Sequence, residues 1–88
     1  MLIDRSLYFG NQNFFFCNSY EGSNVTADDN TYIVYMDRKG LILIVRFNYD
    51  DNEGRYCVKT GNYNEIVDDR GEYDYILPNQ LLDLSVEE

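Results

Sequence analysis

Apolar and polar residues alternate with period two over much of this chain, and turn residues break the alternation at short intervals. Leu41 to Tyr49 reads Leu-Ile-Leu-Ile-Val-Arg-Phe-Asn-Tyr. Thr31 to Met36, Arg55 to Thr60 and Glu72 to Leu77 are similarly rich in β-branched and aromatic residues. Such runs are short, stiff at χ1 and bounded by turn signals, which marks them as strands.

Three of the breaks share one form, Asp-x-x-Gly, at Asp37–Gly40, Asp51–Gly54 and Asp68–Gly71. Aspartate at the head of a type I turn accepts backbone N–H bonds, and glycine in fourth place supplies a positive φ. Gly61-Asn62 adds a further turn signal. At the N-terminal end, Leu7-Tyr8-Phe9 and Phe14-Phe15-Phe16-Cys17 flank Gly10-Asn11-Gln12-Asn13, the pattern of another hairpin. The polar stretch from Glu21 to Asn30 reads as a loop.

Two segments are ambiguous. Asn62 and Glu65 have capping-box spacing, so residues 62–67 fit one helical turn as well as a loop. The tail Leu82-Asp83-Leu84-Ser85-Val86-Glu87 alternates as a strand, yet Leu77, Leu81 and Leu84 with Pro78 near the start also suit a helix. The strand is the favoured reading. The expected fold is all-β: a small antiparallel meander of about five to six strands, joined by Asp-x-x-Gly hairpin turns. It can curl into a partly open barrel and ends in a C-terminal strand or short helix.

The pleat assigns faces. Leu43, Val45, Phe47 and Tyr49 fall on one side of the long strand, and Arg46 and Asn48 on the other. Tyr56 and Val58 oppose Arg55 and Lys59, while Tyr73, Tyr75 and Leu77 oppose Glu72 and Asp74. Ile42 and Ile44 are the exception, since they share the face of Arg46. That strip needs a cover: another segment, a subunit or a partner.

At 88 residues the chain is one domain, 1–88, with a modest core. It carries 16 acidic residues against 7 basic ones and no histidine, a formal charge of −9. Without histidine there is no Ser-His or Cys-His pair and no histidine metal ligand. The charge opposes direct contact with nucleic acid or an anionic membrane. Aromatics make up 16%, so the acidity belongs to a folded protein rather than a solvating tail.

The remaining chemistry is thin. The N-terminus shows no signal peptide, and the aliphatic run Leu41–Val45 is far too short to span a membrane. Cys17 and Cys57 make no disulfide framework and no zinc site, and read as reduced thiols in a cytoplasmic protein. Without a secretion signal, the sequon Asn24-Val25-Thr26 reads as chance. Asp50–Gly54 does not fit a calcium loop, because glycine stands fifth and no glutamate stands at position 62. No glycine-rich phosphate loop is present. The expectation is a non-enzymatic protein with no cofactor and no metal.

The charge is uneven. Residues 1–49 hold five acids and four bases, net −1, whereas residues 50–88 hold eleven acids and three bases, net −8. The candidate partner-binding residues are therefore Asp50, Asp51, Glu53, Asp68, Asp69, Glu72 and Asp74, with Tyr63 in a polar segment beside them. Complementary charge speeds association and sets specificity, and tyrosine gives broad contact area. Small, acidic, tyrosine-rich and without histidine, the chain resembles in composition phage-encoded inhibitors of host restriction, CRISPR or repair enzymes. That resemblance implies a viral protein in the host cytoplasm, acting as a DNA mimic that occludes a basic nucleic-acid-binding surface. The alternative expectation is a structural or oligomerising subunit, such as a homodimer. It would join through Ile42 and Ile44 or through Phe14–Phe16, with the acids as solubilisers.

Overall fold

The computed structural model describes residues 6–20, 30–48 and 51–81, and of residues 51–53 the backbone alone. Five strands make one sheet: β1 (Ser6–Phe9), β2 (Gln12–Tyr20), β3 (Asn30–Met36), β4 (Ile42–Asn48) and β5 (Asp51–Lys59). Each pairs antiparallel with its neighbour in sequence, so the sheet is the expected meander, curled into a half-barrel. One short helix, α1 (Tyr63–Asp68), and two 3-10 turns, Arg70–Glu72 and Pro78–Gln80, follow.

Local chemistry explains the tight connections. Gly10 and Asn11 both have positive φ, 61° and 63°, which a two-residue turn needs if its twist is to match the strands. Between β3 and β4, Asp37 behaves as the head of its turn. Its Oδ1 accepts from the N–H groups of Lys39 at 2.9 Å and Leu41 at 2.8 Å. Gly40 closes the turn at φ 95°.

The other two Asp-x-x-Gly segments are not hairpins. Asp51–Gly54 lies inside β5. Gly54 is required there by close packing, because a Cβ would sit 3.0 Å from Val45 Cγ1 and 3.1 Å from the Phe47 ring. Asp68–Gly71 carries the chain out of α1 into a 3-10 turn, with Asp69 N–H donating to Glu65 O at 3.1 Å and Glu72 N–H to Asp69 O at 2.8 Å. Helical bonding thus consumes the backbone groups that a strand from Glu72 would have used. Of the expected strand Glu72–Leu77, only Ile76 bridges the sheet, exchanging bonds of 2.7 and 3.1 Å with Tyr56. Pro78, which has no N–H to donate, then opens the second 3-10 turn.

Asn62 starts α1 as its spacing suggested, its Oδ1 accepting from Glu65 N–H at 3.0 Å. The tail from Leu82 onward lies outside the described residues, as do Tyr49 and most of the loop from Glu21 to Asn30.

The core has two layers. On the inner side of the curl, Phe14, Leu41, Leu43 and Val45 are buried. The rings of Phe9 on β1 and Tyr56 on β5 meet there at 4.8 Å, drawing the two ends of the sheet together. On the outer side, Val34, Ile42, Ile44 and Cys57 are buried against Ile66 and Val67 of α1 and against Tyr75. The strip at Ile42 and Ile44 is therefore covered by the chain's own later segment, leaving these side chains 1% and 0% exposed. They are not available to a subunit or a partner. No helix of the described residues is long and apolar enough to cross a membrane.

Candidate binding surface

Because α1 turns Ile66 and Val67 into the sheet, its other residues must face out. Asn64, Glu65 and Asp68 are exposed, and so are Asp69, Glu72 and Asp74 in the segment that follows. Residues three and four apart share a helix face, so Glu65 lies beside Asp68 and Asp69. Five carboxylates thus occupy ten residues of one exposed cap.

The single base within that stretch is Arg70, and it points the other way. Its Cζ lies 4.3 Å from the centre of the Tyr20 ring and 5.6 Å from that of Tyr32. Its Nη1 donates to Val67 O at 2.9 Å, closing the end of α1. Two neighbouring cations are also drawn beneath the cap. Lys59 Nζ lies 4.4 Å from the Tyr73 ring centre, and Arg46 Cζ lies 4.9 Å from that of Tyr75. Tyrosine faces hold the cations through the ring quadrupole.

The cap is pinned at Tyr75, whose hydroxyl donates to Arg70 O at 2.7 Å. Burial pushes the Tyr75 phenol well above its ordinary range, and nearby Cys57 and Tyr32 add to the rise against the opposing pull of Arg46. Burial likewise raises the Cys57 thiol beneath it. Tyr73 is raised by burial and by the charge of Asp69.

Acids at this end of α1 stand against the helix dipole, which disfavours negative charge at a C-terminus. No basic residue occupies the last turn of α1. The placement of Asp68 and Asp69 is therefore not explained by helix stability.

Asp68, Asp69, Glu72 and Asp74 are all exposed along one continuous segment, but not on the hairpin turn Asp68–Gly71 and strand Glu72–Leu77 that the pattern predicts. They share a helix end, a 3-10 turn and an extended exit. Asp51 and Glu53 lie at the start of β5, on a separate element, and Asp50 lies outside the described residues. Tyr63 is half-buried rather than out in solvent. It packs against the outer core, and burial, followed by the nearby Cys17 and Tyr20, raises its phenol. It supports the surface from below. Glu65 belongs to the surface although charge counting did not single it out. The signal was present in its capping spacing from Asn62.

Among the described residues, no three Cys, Asp or Glu side chains converge as a metal site requires. Cys17 and Cys57 are both free thiols, the first exposed and the second buried. A shallow recess lined by Gly54, Leu77, Pro78 and Asn79 presents no titratable side chain. No family model, curated protein or solved structure matches the chain.

Proposed function

We propose that this chain is a protein-binding module whose acidic cap occupies a basic surface of a partner protein. The carrying observation is the sorting of charge. Glu65, Asp68, Asp69, Glu72 and Asp74 face solvent while the one base among them, Arg70, is turned onto tyrosine rings. Spaced carboxylates on a small folded support resemble a run of phosphates. The partner class this suits is a protein that handles nucleic acid and presents arginine and lysine to it. Occupation of that surface by the cap blocks it stoichiometrically, without any reaction. The compositional resemblance to phage-encoded inhibitors supports the same reading.

The test is affinity capture from a nuclease-treated lysate at low and high salt. A basic protein is expected to be retained at low salt and released at high salt, because screening shortens the attraction to about 3 Å at 1 M. Reversal of Asp68, Asp69, Glu72 and Asp74 to lysine is expected to abolish capture, while reversal of Glu21 and Asp28 has a much smaller effect. Equal loss from both sets, or no loss from either, overturns the proposal.

A further inference from the structure

The chain leaves β5 after Lys59 and, among the described residues, meets the sheet's backbone again only at Ile76, which pairs with Tyr56 of that same strand. Residues 60–75 are thus an excursion with both ends on one strand, the form of an Ω-loop. Its hydrogen bonds close on the segment itself. Ile66 N–H donates to Asn62 O at 3.0 Å, Asp69 N–H to Glu65 O at 3.1 Å and Glu72 N–H to Asp69 O at 2.8 Å. Arg70 Nη1 and the Tyr75 hydroxyl donate to Val67 O and Arg70 O. Side chains hold it to the sheet: Ile66, Val67 and Tyr75 in the outer core, and Arg70 over Tyr20 and Tyr32. Lifting the segment costs these contacts but none of the ladder bonds that join the strands. Its entry can pivot, because Thr60, Gly61 and Asn62 are exposed and Gly61 has φ 129°, a region glycine enters and leaves freely.

The closed segment sets Glu65, Asp68, Asp69, Glu72 and Asp74 on one short folded stretch, with Asp68 and Asp69 against the dipole of α1. A six-residue helix has no stability of its own in water. Once lifted it unwinds, and the carboxylates spread apart. Repulsion among the acids therefore favours lifting, and a cation seated across them favours closure. Cys57 lies beneath, 6% exposed, in a core cluster completed by Ile66, Val67 and Tyr75 of the segment. Lifting uncovers it, whereas Cys17 on β2 is exposed already.

We infer that residues 60–75 form a strap that lifts from the sheet while the five strands stay paired, and that a cationic partner seated on its carboxylates holds it shut. Lifting is a property of the fold. Its coupling to a partner rests on the acidic cap as the binding surface. A cation that binds the closed strap shifts it towards closure by the same factor that closure tightens binding. The acidic surface is therefore assembled fully only when it is occupied.

Alkylation of the unaltered protein by iodoacetamide, a neutral reagent, with peptide mapping of each thiol, tests the inference. Cys17 serves as the internal standard. Cys57 is expected to react by a route that low urea barely quickens, because lifting the strap exposes little surface, whereas global unfolding carries the full urea slope. A polyarginine peptide at low salt is expected to slow Cys57 at least about fivefold relative to Cys17. The slowing should be much smaller in Asp68→Asn with Asp69→Asn. Arg70→Gln frees the strap from Tyr20 and Tyr32 and is expected to quicken Cys57 at least about fivefold, with the amides of β3 and β4 still slow to exchange. A Cys57 rate that carries the full urea slope from the outset overturns the inference, as do β3 and β4 amides that exchange in step with α1. So does a rate that polyarginine leaves unchanged, or slows equally in the asparagine variant. A strap that polyarginine closes, in a protein that captures nothing from lysate, overturns the proposed function and supports the strap.

Discussion

The inner face of the curled sheet is covered mainly by the sheet itself, with Leu81 the one later residue packed against it among those described, whereas the outer face is covered by a segment that arrives after the last strand. Inside the curl, Phe14, Leu43 and Val45 meet side chains from strands already paired to one another. On the outside, Val34, Ile42 and Ile44 wait for Ile66, Val67 and Tyr75. The first burial follows from pairing and twist. The second depends on one short helix, one hydroxyl bond and a set of cations resting on tyrosine rings. The outer cover is therefore the more easily loosened part, and it is also the part that displays the acids.

The largest test of this contrast is Phe14→Ala. It removes the largest fully buried side chain among the described residues and should cost about 3–5 kcal/mol. For so small a domain that approaches the whole stability, and urea unfolding followed by circular dichroism should show sheet and helix lost together. Gly54→Ala should cost about 1–3 kcal/mol by forcing Val45 and Phe47 apart, again across the whole fold.

The outer cover responds differently. Tyr75→Phe deletes the bond to Arg70 O and should cost about 1 kcal/mol. Hydrogen exchange is expected to quicken in α1 while β3 and β4 stay protected. The same site sets an alkaline limit. Burial raises Tyr75 and Cys57, so the folded state keeps protons that the unfolded chain releases. Their contribution is fully present below the ordinary thiol and phenol values of about 8.5 and 10. It is lost as the pH rises above them. Stability measured between pH 8 and pH 11 should therefore fall, and fall less steeply in Tyr75→Phe. An unchanged slope would show that the cover bears no such load.

The smaller effects concern the ends of the helix. Asn62→Ala should cost about 1 kcal/mol by removing the cap on Glu65 N–H. Asp68→Asn with Asp69→Asn should raise stability by a few tenths of a kcal/mol, since both acids oppose the helix dipole. A loss of partner capture alongside that gain would separate the role of the acids from the stability of the fold.

Local pattern made much of this legible. Alternation in Leu41–Tyr49 identified β4 and its two faces, and the puzzle it left at Ile42 and Ile44 was the correct one to raise. Asp37–Gly40, Gly10-Asn11 and the Asn62–Glu65 spacing each specified a turn or cap, because the donors and acceptors lie within four residues of one another. Where the same local form had two outcomes, sequence was a poor guide. Asp51–Gly54 matches a hairpin turn as well as Asp37–Gly40 does, but it became strand because the Phe47 ring needs the space above Gly54. Glu72–Leu77 alternates well, yet the helical bonding that enters it from Asp69 had already turned the chain.

The sequence by itself determined the first four strands and most of the fifth, the meander and the placing of negative charge after residue 49, since these depend on period and composition. Only the tertiary structure decided which face each element would cover. It seated α1 on Ile42 and Ile44, turned Arg70 inward onto Tyr20 and Tyr32, and left Glu65, Asp68, Asp69, Glu72 and Asp74 outside. The physical reason is distance along the chain. Those contacts join residues tens of positions apart, and their energies arise only once the sheet exists to receive them.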